Sequence, residues 1–177
     1  VTGLANTDFA TNGSTATCTA IAVTGTAANY LVTASGCSPG TLKLTLLANS
    51  VTGAIAGPSA DSISTDVVID RTVATVTATS PSSPTALETL EYAFTFSKAV
   101  TGLTTTDFAI TGNSCEVTRV TGSAARYSVE VTRCNDGVTT ALSLTANSVA
   151  DAAGNLGPAS ALSLAGVAIN RGTIPVP

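Results

Sequence analysis

Apolar residues alternate with small polar ones along most of the chain, the period-2 pattern of strands that bury one face. The run Leu90-Glu-Tyr-Ala-Phe-Thr-Phe96 shows it most clearly, with Leu90, Tyr92, Phe94 and Phe96 on one face. Thr41-Leu-Lys-Leu-Thr-Leu-Leu47 predicts a second strand of the same kind. Shorter strands are expected over 17–23 and 29–34, where Ile21, Val23 and Val32 share an inner face. An opening strand is expected over 72–79, and closing strands over 66–69 and 165–169. Phe9, Phe108, Ile110, Leu142 and Leu144 are core candidates. Ser38-Pro-Gly40, Ser80-Pro-Ser-Ser-Pro84 and Asn135-Asp-Gly137 punctuate the strands as turns.

The pattern repeats. Val1-Thr-Gly-Leu-Ala-Asn-Thr-Asp-Phe9 returns as Val100-Thr-Gly-Leu-Thr-Thr-Thr-Asp-Phe108. Val23-Thr-Gly25 returns as Val120-Thr-Gly122, Tyr30 as Tyr127, and Ala48-Asn-Ser-Val51 as Ala146-Asn-Ser-Val149. Val68-Ile-Asp-Arg71 returns as Ala168-Ile-Asn-Arg171. Such self-similarity predicts an array of modules: an incomplete one over 1–71, a complete one over 72–171, and a tail over 172–177. Nothing in the first module corresponds to 72–99, so it is expected to lack two opening strands and to be a piece of a longer or processed chain. The join Asp70-Arg71-Thr72 contains no Gly or Ser and is expected to be stiff.

Composition sharpens the picture. Thr, Val and other small residues dominate while Met is absent, which fits an all-β chain of small sandwiches. Charged residues make up 10% of the chain and the net charge is -4, so no basic surface for nucleic acid is expected. No apolar run is long enough to cross a bilayer, and membrane insertion is not expected. Without His, a general base at neutral pH would need a strongly shifted carboxylate or lysine. Ser97 and Lys98 are neighbours, but adjacent strand residues point to opposite faces. No enzyme and no cofactor is expected.

The four cysteines give the sharpest local signal. Cys18 and Cys37 stand at the same separation as Cys115 and Cys134, at equivalent places in the two modules. A hairpin lies between each pair, and a turn near Ala27 or Ala124 sets the two cysteines opposite one another. Disulfides Cys18–Cys37 and Cys115–Cys134 are therefore expected, since two lone cysteines per module without His make poor zinc chemistry. Persistent disulfides place the protein outside the cytosol, in the extracellular space or at the cell surface. In the same register Arg119 faces Glu130 and Glu116 faces Arg133.

These residues resemble the bacterial immunoglobulin-like repeats of large surface adhesins and biofilm-associated proteins. The features that carry the resemblance are Phe96-Ser-Lys-Ala-Val-Thr-Gly102, Thr106-Asp-Phe108, Ala146-Asn-Ser-Val-Ala-Asp-Ala-Ala-Gly-Asn155 and Val167-Ala-Ile-Asn170. The resemblance implies two tandem Ig-like β-sandwich modules of the kind strung in rows as stalks and fibres.

Remaining candidates carry a plain reading beside the chemical one. Asp151 and Asn155 lie in a loop that some related repeats use near calcium. A hard cation wants six to eight oxygens, however, and Asp151 is the only acid nearby in sequence. A hydrogen-bonded turn is expected there, with no metal. Asp8 and Asp107 read as turn formers. Asn12-Gly-Ser14 matches an N-glycosylation acceptor. Lys43 and Lys98 are candidates for an isopeptide bond, a role the disulfides already fill.

The expected function is structural: a subunit or segment of an extracellular filament or cell-surface fibre. Its partners would be copies of itself or neighbouring Ig-like repeats, joined by strand complementation. Thr173, Ile174 and Val176 are candidates for an inter-subunit strand, with Ile174 and Val176 on one face. The alternative is an adhesin module that binds a glycan or host protein through exposed aromatics.

Overall fold

The computed structural model of the chain describes residues 3–27, 29–51, 57–112 and 114–172. Its contacts divide into two units, Val1–Arg71 and Thr72–Pro177. Strands and short turns make up both, with 3-10 turns at Asn6–Asp8 and Thr105–Asp107. The 3-10 turns occupy equivalent positions. Asp8 accepts the Ala5 N–H at 2.6 Å, and Asp107 accepts the Thr104 N–H at 2.7 Å. Both acids thus close local turns, as their sequence setting predicts.

The second unit is a sandwich. One sheet runs, in spatial order, Glu116–Ser123, Arg126–Thr132, Leu90–Phe96 and Val76–Thr79, with every pair antiparallel. Opposite it, Thr139–Leu144 pairs with Phe108–Thr111 on one side and with Leu162–Ser163 and Val167–Ala168 on the other. A small third sheet joins Val100–Thr101, Val149–Asp151 and Leu156–Gly157.

The core follows from the alternation. Leu90, Tyr92, Phe94 and Phe96 are all buried, while Glu91, Ala93 and Thr95 between them are exposed. They meet Val129, Val131, Leu142, Leu144, Val149 and Val167, each also buried. Phe94 stands edge-on to Phe108 with ring centroids 5.2 Å apart, locking one sheet to the other. Each large side chain so buried stabilises the unit by about 1.5–3 kcal/mol.

The first unit reproduces only part of this. Ala20–Thr26 and Asn29–Ser35 form a two-stranded sheet with Val23 opposite Val32 and Gly25 opposite Tyr30. The second unit repeats those pairs as Val120 with Val129 and Gly122 with Tyr127. Phe9–Ala10, Thr45–Leu46 and Ser62–Ile63 make another sheet, and Gly40–Leu42 pairs with Val67–Ile69. Among the described residues of this unit nothing corresponds to Val76–Thr79 or Leu90–Phe96. Its buried apolar residues there are Ala16 and Leu42, whereas Leu44 and Leu46 stay half-buried.

The run Thr41–Leu47 is not a single strand but two, broken at Lys43 and Leu44. Ser14 Oγ accepts from the Lys43 N–H at 2.8 Å and donates to the Lys43 carbonyl at 3.1 Å. Ser64 Oγ accepts the Leu44 N–H at 3.1 Å. Side chains from distant loops thus take the backbone groups that a ladder would use. The corresponding Thr139–Leu144 stays continuous.

Candidate functional site

Cys18 is bonded to Cys37 and Cys115 to Cys134, each pair closing the base of its hairpin. In the chain-entropy picture, closing a loop of this length stabilises by about 3 kcal/mol. Both hairpins turn through two residues, and Ala27 and Ala124 adopt the left-handed conformation there, at φ 60° and 54°. A bulge between Val117 and Arg119 shifts the second hairpin, so Glu116 lies opposite Thr132 rather than Arg133. The ion pair survives because both side chains are long: Arg133 Nη1 reaches Glu116 Oε2 at 2.8 Å. Arg119 does lie opposite Glu130, with Nη1 and Oε1 3.2 Å apart. These exposed pairs contribute about 0–1 kcal/mol each and help fix the register.

Each hairpin base is also held by the arginine that closes its repeat. Arg71 Nε and Nη2 donate to the Cys37 carbonyl at 3.2 and 3.1 Å. Arg171 Nη1 donates to the Cys134 carbonyl at 2.7 Å, and its Nη2 to the Leu87 carbonyl at 3.2 Å. The sequence reading missed this clasp. The signal was the shared arginine of Ile69-Asp-Arg71 and Ile169-Asn-Arg171.

Asp151 ends a strand and is buried. Its Oδ1 accepts the N–H groups of Ala153 and Asn155, both at 2.9 Å. Its Oδ2 accepts Asn155 Nδ2 and Lys98 Nζ, both at 3.0 Å. The Asn155 amide, helped by the Lys98 ammonium and these backbone donors, holds the carboxyl well below the usual carboxylate range against the opposing cost of burial. Lys98 also donates to the Thr72 carbonyl at 2.7 Å and to Thr72 Oγ1 at 2.9 Å. The cluster therefore staples the opening residue of the second unit to the loop 151–155. A charged, hydrogen-bonded ammonium beside an ionised carboxylate is poorly set up as a nucleophile toward Asn155. Among the described residues no group of three or more His, Cys, Asp or Glu is placed to hold a metal.

Lys43 makes an open pair with Asp66, at 3.6 Å. Asn12 is exposed on a turn, while Ser14 of its tripeptide is engaged with Lys43 backbone. Thr173, Ile174 and Val176 lie outside the described residues.

The outer edge of Asn29–Ser35 differs from that of its counterpart in the second unit. In the second unit the equivalent strand, Arg126–Thr132, is covered by Leu90–Phe96, which pairs Tyr127 with Phe94, Val129 with Tyr92 and Val131 with Leu90. Val129 and Val131 are fully buried there. Tyr30, Val32 and Ala34, which hold the same places in the first unit, stay half-buried, and no described strand pairs along their outer edge.

A disulfide-pinned β-sandwich with its sheets closed around an aromatic core is an immunoglobulin-like architecture. Residues 70–167 match the family model described as a bacterial Ig-like domain, and the chain belongs to that family. No curated protein and no solved structure matches the chain. Domains of this family are repeat modules of surface proteins and are generally structural rather than catalytic. The two disulfides fit an extracellular setting.

Proposed function

We propose that the chain is a segment of an extracellular filament or cell-surface fibre, in which Ig-like units run in series and are joined by strand addition. The observation that carries this reading is the edge of Asn29–Ser35, along which no described strand pairs, together with the half-buried Val32, Leu44 and Leu46 of the same unit. An exposed strand edge offers a row of backbone donors and acceptors to another chain. Covering the apolar face beside it recovers part of the roughly 1.5–3 kcal/mol that each large side chain forgoes while open. Disulfides and arginine clasps at the hairpin bases suit a part under tension. The segment 172–177 of a second copy, with Thr173, Ile174 and Val176, is one candidate donor. It holds the place after the second unit that Thr72-Val-Ala-Thr-Val76 holds after the first.

A glycan-binding role finds less support. All seven aromatic residues are buried or half-buried, which leaves no exposed aromatic platform for a sugar. Light scattering across a concentration series, with negative-stain microscopy, tests the proposal. End-to-end oligomers or fibres are expected. A chain that stays monomeric at high concentration and melts as one cooperative body would overturn it.

A further inference from the structure

We infer that residues 83–87 and 167–171 of the second unit form a mechanical clamp, a short parallel pair that takes a lengthwise pull on the chain in shear. The inference rests on the filament reading above, in which units in series carry tension, and says where this unit resists it. Thr85 lies opposite Ile169 in a parallel bridge. The Thr85 N–H donates to the Ala168 carbonyl at 2.9 Å, and the Asn170 N–H to the Thr85 carbonyl at 2.8 Å. Ser83 Oγ accepts the Ala168 N–H at 3.0 Å. Arg171 adds two charge-assisted bonds, from Nη2 to the Leu87 carbonyl and from Nη1 to the Cys134 carbonyl. Thr85 and Ile169 are both buried, so water does not compete at the centre of the pair.

Direction makes this pair the point of resistance. Tension reaches 83–87 from its N-terminal end and 167–171 from its C-terminal end. Parallel segments loaded in this way are drawn past each other along their length, and their bonds are strained together rather than one after another. The residues ahead of the clamp hold less firmly. Among the described residues Val76–Thr79 is an edge strand, paired with Leu90–Phe96 and made of half-buried and exposed residues. Before it, Lys98 holds Thr72, and Ser97 Oγ accepts the Thr75 N–H at 3.0 Å. This opening stretch, 72–82, gives way first and passes the load to the clamp. The Cys115–Cys134 disulfide keeps the hairpin between them out of the extension even after the clamp fails.

The test stretches the intact, oxidised chain between handles at its two ends, at constant force, and records step lengths and dwell times. The second unit is recognised by the longer main step, because it has more chain outside its disulfide loop than the first. Its unfolding is expected in two steps: a short one of roughly 20–40 Å as 72–82 comes away, then the main one. Reduction should lengthen the main step by roughly 60 Å, the span of the freed loop. Arg171→Gln should shorten the dwell before the main step about tenfold, the value of one charge-assisted bond, and Ser83→Ala should shorten it less. Lys98→Gln should lower the urea midpoint yet shorten only the first dwell. Equal shortening of the main dwell by Arg171→Gln and Lys98→Gln would mean that the unit resists as one body, and would overturn the clamp. A main dwell indifferent to both Arg171→Gln and Ser83→Ala would overturn it too, and fibres seen by microscopy would then leave the filament reading standing. The two-step pattern with its Arg171 dependence, in a chain that forms no fibres, would keep the clamp and reject the filament reading.

Discussion

Tyr92 carries an unusual cost for its place in the core. Its ring is fully buried, and its hydroxyl finds no hydrogen-bond partner among the described residues. Burial also pushes its pKa up. A buried polar group without a partner costs about 1–3 kcal/mol, so Tyr92→Phe should stabilise the second unit by about 1 kcal/mol in urea unfolding. A destabilised variant would show that the hydroxyl is bonded in solution. Asp151 predicts the opposite kind of effect. Its carboxyl titrates lower in the folded chain than the roughly 3.9 of an unfolded aspartate, so its charge favours folding. That contribution is complete above about pH 4 and fades as the pH falls from there toward the folded value. Asp151→Asn should lower the melting temperature at neutral pH and flatten its decline between about pH 5 and pH 2 relative to the parent. Parallel acid limbs for the two proteins would refute the assignment. The sequence marked Asp151 with its turn, and Lys98 separately, but not their pairing across 53 residues.

At the scale of elements, the hairpins depend on a glycine just before each turn. Gly25 and Gly122 have φ of 128° and 129°, and a Cβ on either would run into the facing backbone carbonyl, of Asn29 or Arg126. Gly137 also has a positive φ, at 77°, but open space around it. Gly122→Ala should cost about 1–3 kcal/mol, measured by denaturant unfolding, and more than Gly137→Ala. Equal costs would mean that backbone strain alone, and not the close approach of the paired strand, sets the need for glycine. The repeated Val-Thr-Gly of both hairpins announced this position in the sequence. The bulge at Val117/Arg119 left a fainter trace: the inward-facing Val117 and Val120 stand three residues apart instead of two, with Thr118 and Arg119 both exposed between them. A second repeated device emerged only from the structure. Asn49 and Asn147 both adopt a left-handed conformation, at φ 57° and 58°, and donate their N–H to the carbonyls of Pro58 and Pro158.

At the scale of the molecule, the two units differ in what they bury. The second unit holds nearly all of the fully buried large side chains, whereas Leu31, Ile63, Val67 and Val68 of the first stand mostly exposed. Local stability follows buried apolar contacts. Limited proteolysis of the isolated, oxidised chain should therefore cut within residues 1–71 first and leave the second unit as the resistant fragment. Adding a strand that covers Asn29–Ser35 should slow that first cut. Simultaneous loss of both units would show that the first is stabilised by something other than its own core. Reduction should speed cleavage in both, since each disulfide limits the freedom of the unfolded loop by an amount worth about 3 kcal/mol.

The sequence by itself determined what depends on near neighbours and on repetition. Alternation set the face of Leu90–Phe96, because side chains on a strand point to opposite sides at every step. The equal cysteine spacing set both disulfides, because a two-residue turn fixes which residues of a hairpin meet. The internal echo made the two hairpins equivalent. Only the tertiary structure decided what depends on distant partners. It broke Thr41–Leu47 where Ser14 and Ser64 captured the backbone, and it brought Lys98 to Asp151 and Thr72. It also carried Arg171 to the carbonyl of Leu87, 84 residues away. These contacts pair groups whose separation along the chain carries no period and whose types are common on any surface. Their meeting is fixed by how the sheets stack, and no local pattern encodes that.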